Sequence, residues 1–405
     1  MEPLPLKQKL NLPSLPSLRA TWQWLRQNLL STWYNILLTI FCLWVIVWVG
    51  GGLTHWAIAL AQWQVVTDNL RLILVGRYPV EQLWRLWLVL GLMVGVKTFS
   101  WGTLQSWQRK HLLRVALVGV GAILLALVSQ ADGTSLGWVG AIALVALGSS
   151  SLATWCRQQA LWPRLQPWLP LGWLVSAGLI LWLISGGAGL TPVSTTFWNG
   201  LLLTVLVATL SIVLSFPLGV LLALGRRSSL PILRGLSIGY IELVRGLPLI
   251  GILFMAQVMF PLLLPPQITL DALARAIAGL TLFSAAYLAE TVRGGLQSLP
   301  TGQWEAAKAL GFSTPLTLGL IILPQALRAV IPAIVGQFIG LFKDTALLSI
   351  VGLVELTGIA RSITAQPEYL GRYAEVYLVL GLIYWVFCYG MSLASRRLEH
   401  RFSDR

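Results

Sequence analysis

The sequence predicts an all-α polytopic membrane protein, and two observations carry that class. Of 405 residues, 57% are hydrophobic and only 10% are charged, against roughly 25% charged in an ordinary soluble domain. The apolar residues also fall in runs of about 20, the number of helical residues that crosses a ~30 Å hydrocarbon core at about 1.5 Å each. Lipid admits only helices or closed barrels, because every backbone polar group there must be satisfied internally. The runs do not alternate with period two, which selects helices over barrel strands.

About ten spans follow in chain order, at roughly 33–53, 86–105, 112–129, 136–154, 169–189, 199–224, 240–263, 274–294, 327–350 and 374–394. The residues before the first span are polar and proline-bearing, with no cleavable signal pattern, so they read as a tail. Between the first two spans, Asp68–Trp84 is too short and too charged to cross. It is expected to lie in the interface, with Trp63, Tyr78, Trp84 and Trp87 at headgroup depth. The second span contains Lys97. The fourth is rich in Gly, Ala and Ser, small residues that let helix backbones approach closely. The loop "SGGAGLTPVSTT" (Ser185–Thr196) marks a boundary. Residues 1–190 hold the tail and about five spans; residues 191–405 hold five more, with denser polar punctuation.

Charge sets the orientation. The chain carries 28 Lys and Arg against 14 Asp and Glu, a formal charge of +14. With the N-terminus in the cytoplasm, 20 of the basic residues fall in inside segments and six in outside loops. Positive residues favour the cytoplasmic side, so both termini are expected inside. The positive charge then reflects sidedness, and no nucleic-acid partner is expected. Cys42, Cys156 and Cys388 are an odd number without CxxC spacing, which argues against a disulfide framework or a metal site. His55, His111 and His400 are far apart, and there is no Ser/His/Asp set and no GxxxxGK[ST] phosphate loop. An enzyme is therefore not expected.

One stretch does not fit a bundle of apolar helices. "WEAAKALGFSTPLTLGLIILPQALRAVIP" (Trp304–Pro332) opens half-polar between two long apolar runs. Glu305 would complement the dipole in the first turn of a short helix. Ala306, Ala307 and Ala309 are strong helix formers, and Gly311 is placed for a left-handed stop. A second short helix is expected from Ser313–Pro315, ending at Pro324 before the next span. The topology puts this elbow on the cytoplasmic face, where a small-residue helix could enter a groove on another protein. A plain interfacial loop would read the same way on composition alone.

Three other polar features stand out. Glu242–Arg245–Gly246 and Glu290–Arg293–Gly294 repeat E-x-x-R-G at helix ends. Residues three apart share a helix face, so each pair reads either as a gate or relay or as anchoring at the membrane edge. Gly246-Leu247-Pro248 breaks the seventh span, as a kink or as part of a substrate path. Lys343 and Asp344, with Thr345, lie near the outer half of the ninth span, where ionisable residues suggest function. They could contact substrate or a partner permease, or make structural contacts within the bundle.

Glu305-Ala306-Ala307, Gly311 and Leu323-Pro324 resemble the EAA loop of ABC-importer permeases. "YIELVRGLPL" (Tyr240–Leu249), "AAYLAETVRGGLQSLP" (Ala285–Pro300) and "FKDTALLSIVG" (Phe342–Gly352) are similar to the histidine/glutamine type of polar amino-acid permease. These motifs cover about half the chain. The preceding spans, with "RLILVGRYP" (Arg71–Pro79), look like the longer general amino-acid permeases. The resemblance implies a five-helix permease core at 191–405 and ATP-driven amino-acid import. It implies that the loop couples to a cytoplasmic ATPase dimer, and that the other partners are a second permease and an external amino-acid-binding protein. ATP and Mg would sit on the ATPase, with no cofactor on this chain, and the location would be a bacterial-type inner membrane. The alternatives are a secondary transporter driven by an ion gradient and an ABC permease for another solute.

Overall fold

The computed structural model describes residues 18–104, 133–159, 162–263, 265, 267 and 269–403. The third expected span, 112–129, lies outside the described residues. The chain divides into two compact units, Met1–Trp63 and Gln64–Arg405.

The first unit contains α1 (Leu18–Asn28) and α2 (Trp33–His55), the latter prolonged by a wider π turn over Trp56–Leu60. α2 is apolar on every face, and none of its residues is buried. A helix hydrophobic all round is suited to lipid on all sides.

The second unit begins with two short helices, α3 (Gln64–Asp68) and α4 (Leu70–Val75). Here the structure corrects the interfacial reading of Asp68–Trp84. Ile73 and Tyr78 are fully buried, and the Tyr78 hydroxyl donates to the Ile184 carbonyl at 2.9 Å. The Tyr369 hydroxyl donates to Asp68 at 2.8 Å, and the Gln366 amide donates to Asn69 at 3.3 Å. The segment folds inward because each of these polar groups finds a protein partner.

α5 (Leu83–Leu104), α6 (Gly133–Gln158) and α7 (Leu169–Ser185) follow. α5 packs on both others. Thr98 of α5 and Ser149 of α6 are hydrogen-bonded, and Gly95 approaches Val145 closely enough that a Cβ there would sit 3.1 Å from it. The close approach is made by Gly95 of the second expected span, whereas Gly137, Gly140 and Gly148 of the fourth have open space where a Cβ would project.

The rest of the unit is built around α8 (Gly200–Arg226) and α11 (Ala272–Gln297). A Cβ on Gly219 of α8 would fall 2.6 Å from Leu288 of α11, and one on Gly295 would fall 2.7 Å from the Ala326 carbonyl of α13 (Leu323–Asp344). Between α8 and α11 in sequence come α9 (Pro231–Arg245) and α10 (Leu249–Phe254); α12 (Gly302–Ala309) links α11 to the segment leading into α13. α14 (Leu356–Thr364) and α15 (Tyr373–Ser403) complete the chain. Eight described helices are long and apolar enough to cross a membrane, or nine if one bent pair counts as a span.

That bent pair corrects the seventh expected span. Tyr240–Arg245 is the end of α9, and the chain turns by 105° between Pro231–Arg245 and Leu249–Leu263. Gly246-Leu247-Pro248 makes the break, because proline lacks the donor and disfavours α geometry in the residue before it. A second correction concerns Pro324. Helix does not end there: it runs from Thr314 through a π segment, Thr317–Ile322, into α13. A proline ring clashes with the carbonyl four residues earlier in a regular α-helix. That residue, Leu320, lies within the widened turn, so the π segment accommodates the ring.

α14 is capped by Glu355, which is fully buried. Its carboxylate accepts the Thr357 and Gly358 backbone N–H groups at 2.8 and 3.0 Å and the Tyr384 hydroxyl at 3.1 Å. These bonds favour the ionised form, but burial outweighs them and pushes the Glu355 pKa up to about 7. The unfolded carboxyl keeps its ordinary value of 4.5, so between these values the folded state binds more protons than the unfolded state. Stability falls as pH rises through that window, by about 3 kcal/mol in total for this group. The purified chain should therefore melt at a higher temperature near pH 5 than near pH 8. Glu355→Gln should flatten the difference; an unchanged difference would assign the effect to other groups.

Candidate functional site

The expected coupling stretch forms α12 and a turn. Trp304 is half-buried and packs against a core cluster built from Ala223, Ile241, Ala289, Val292, Leu296, Ile322 and Ala326, and Ala307 is 2% exposed. Glu305, Ala306, Lys308 and Ala309 face outward. Trp304 thus holds α12 on the body with Ala307 turned inward, while Glu305 and Ala306 are presented to solvent. The helix ends in a Schellman turn: Phe312 N–H donates to the Ala307 carbonyl at 3.0 Å and Gly311 N–H to the Lys308 carbonyl at 2.9 Å. Gly311 has φ +77° and open space where a Cβ would project. Glycine is required there by backbone angle, since φ > 0 is uncommon for other residues. Leu310, 76% exposed, follows the outward face. Leu323 and Pro324 are half-buried at the start of α13, with Leu323 packed against the same core cluster.

The two E-x-x-R-G motifs meet. Glu290 is the hub: Arg293 pairs with it from the same helix, Arg226 of α8 donates to it at 3.3 Å, and Arg245 of α9 lies 4.0 Å away. Arg226 also donates to Glu242 at 2.9 Å. Glu242 and Arg245 therefore reach other helices. Their motif joins α8, α9 and α11 at one level, instead of closing as two separate pairs. Glu290 is 22% exposed and Glu242 is 56% exposed. Gly246 and Pro248 lie just beyond, in the break between α9 and α10.

The sequence reading did not single out Arg226. Its signal was present as a basic residue in the last turn of α8, a favoured place against the helix dipole. Nothing in the sequence showed that two acids from other helices would come to it.

Asp344 and Lys343 part company. Asp344 lines a small cavity between α13 and α11, with Gln337, Ser284, Phe283 and Gly340. Lys343 is exposed on another face of α13. The hub on Glu290 and the Asp344 cavity both lie along α11, the cavity nearer its N-terminal end and the hub nearer α12.

A family model described as a binding-protein-dependent transport system inner membrane component matches residues 215–404. The inner membrane amino-acid ABC transporter permease protein YhdY of Escherichia coli is 38% identical over 94% of this chain and 92% of its own length. The glutamate/glutamine/aspartate/asparagine transport system permease protein BztC of Rhodobacter capsulatus is 36% identical over 94% and 93%. Among solved structures, an amino acid ABC transporter crystallised with histidines shares 30% identity over 49% of this chain and 90% of that one, with a TM-score of 0.44. Because relatives above 30% identity run the length of the chain, it belongs to the permease family of binding-protein-dependent ABC transporters, and it is a transport subunit rather than an enzyme.

Proposed function

We propose that this chain is one permease subunit of an ATP-driven importer of amino acids in a bacterial-type inner membrane, with both termini in the cytoplasm. The observation that carries the reading is α12. It is a short helix held on the helical core by Trp304, with Ala307 buried, presenting Glu305, Ala306 and the Gly311 turn outward. An ion-driven transporter has no need of such a knob. The amino-acid substrate class is supported by the names of YhdY and BztC, two relatives that span nearly the whole chain.

In this reading residues 191–405 form the translocation half and residues 1–190 are an added membrane module. The partners are a second permease, a cytoplasmic ATPase dimer that binds ATP and Mg, and an external binding protein for amino acids. Glu305, Ala306, Ala307 and Gly311 with Leu323 and Pro324 form the coupling element. Glu242, Arg245, Glu290 and Arg293, with Arg226, form a gate at the cytoplasmic end, and the Gly246–Pro248 break lets it move. Asp344 contributes a carboxylate to the pathway, facing a cavity that also presents the Gln337 amide and Ser284 hydroxyl. The cavity has a volume of about 40 Å³, too small for an amino acid, so these groups would meet a substrate only once the helices move apart. Lys343, an exposed cation within a span, is better placed against a partner permease than against hydrocarbon.

The test is purification of the tagged chain from its native membrane in mild detergent, with mass spectrometry of bound proteins and reconstitution with ATP. A co-purifying ATPase and ATP-dependent uptake of an amino acid are expected. A chain that arrives alone and moves solute on an ion gradient would overturn the reading.

A further inference from the structure

α12 carries the proposed contact to the ATPase, but its outer face says nothing of how motion passes into the membrane helices. The contacts on its inner face do. Arg227 follows directly on the last residue of α8 and is the cap of that helix. Its guanidinium donates to the Leu296 carbonyl, in the last turn of α11, at 3.1 Å. The same guanidinium lies over the indole of Trp304, with its carbon 5.6 Å from the ring centroid. Trp304 is the residue of α12 that packs against the core cluster. One side chain therefore touches the ends of two long helices and the anchor of the short one.

We propose that Arg227 is a positioning residue for coupling, tying α12 to α8 and α11 so that displacement of α12 is delivered to both helices together. The proposal rests on the reading of α12 as the ATPase-docking element. Arginine suits the place for a physical reason. Its planar group can stack on an indole face while an edge N–H reaches a carbonyl, whereas a lysine ammonium is a point charge on a flexible stem. A carbonyl at a helix C-terminus also carries the partial negative charge of the helix dipole, which favours a cation. Arg226, the neighbouring residue, points to Glu242 and Glu290. The two arginines at the end of α8 thus serve different connections: Arg226 joins the hub of acids, and Arg227 joins the coupling helix.

The clamp differs in its consequences from ordinary packing. A residue that only stabilises α12 would, when removed, loosen the ATPase and lower its activity and transport in parallel. A residue that transmits motion would leave the ATPase bound and turning over, while fewer solute molecules cross per ATP.

The experiment uses the full complex in proteoliposomes, with the binding protein outside and ATP on the ATPase side, measuring amino-acid uptake and phosphate release together. Arg227→Met is the main variant, and Arg227→Lys tests the need for a planar group. Trp304→Leu removes the ring face beneath the arginine but keeps an apolar side chain that packs on the core and holds α12, and serves if Arg227→Met is poorly made. Expected for both Arg227→Met and Trp304→Leu are wild-type recovery of the ATPase with the permease and a solute-to-ATP ratio lowered about tenfold. Arg227→Lys should fall between them and wild type. The double variant should be no worse than either single one, because both remove one interaction. A wild-type ratio in Arg227→Met or Trp304→Leu would overturn the proposal, as would a parallel loss of bound ATPase and uptake. Failure of the wild-type chain to retain any ATPase would instead overturn the docking reading beneath it, and is scored before any variant is compared.

Discussion

Gly311→Asp is expected to reduce ATP-driven uptake to below about a tenth of wild type while the chain still reaches the membrane. Two physical effects combine. At φ +77° a residue with a side chain meets a left-handed penalty of roughly 1–2 kcal/mol, softened for Asn and Asp, which bond locally. The carboxylate then lies at the negative end of the α12 dipole, where an anion is unfavourable, and on the surface proposed to dock. A series separates the terms. Gly311→Asn keeps the tolerated backbone and adds no charge, so it should retain most uptake. Gly311→Val cannot adopt the angle cheaply and should lose uptake through the backbone alone. No Cβ clash enters, because nothing lies within 4 Å of that position. Uptake measured in vesicles alongside membrane content of the permease checks the series; wild-type uptake by the Asp variant would remove the turn from the coupling element.

Glu290→Gln has the second largest expected effect. Arg226, Arg245 and Arg293 converge on Glu290 from three helices. With its charge removed, only the half-exposed Glu242 remains to offset them. Hydrogen bonds to charged groups contribute about 1.5–3 kcal/mol. Glu290 is partly exposed, and solvent screening argues for the lower end. A loss of about 1.5 kcal/mol corresponds to roughly a tenfold shift in the balance between closed and open arrangements. Uptake should fall by about that factor, and the thermal midpoint should drop. Glu242→Gln, at an exposed site with one partner, should change either quantity far less. Equal, small effects from both variants would assign the motif to anchoring at the membrane edge.

The α12 elbow was legible because it is local. A first-turn acid, three alanines and a glycine at the stop act over eight to ten residues, and neighbouring chain is enough to define them. The Glu290 hub was legible only in half. Spacing placed Glu290 and Arg293 on one face, yet Glu242 and Arg245 sit at the same spacing and find their partners on other helices. Local geometry offers a pair; which pair forms depends on what else arrives at that depth. Arg227 and Trp304, 77 positions apart in the sequence, carry no local signal of their meeting.

By itself the sequence determined the helical class, the membrane, most of the spans and the position of the α12 elbow. Those follow from hydropathy, run length and glycine and proline chemistry, which each act within a few residues. The tertiary structure decided where helices bend and what the polar groups touch. Pro324 stays inside a helix because the preceding turn widens, and Tyr78 leaves the expected interface because the Ile184 carbonyl accepts its hydroxyl. Asp344 separates from Lys343 toward a cavity shared with α11. Each outcome rests on a partner distant in sequence, and a polar group removed from water is governed by the partner that satisfies it.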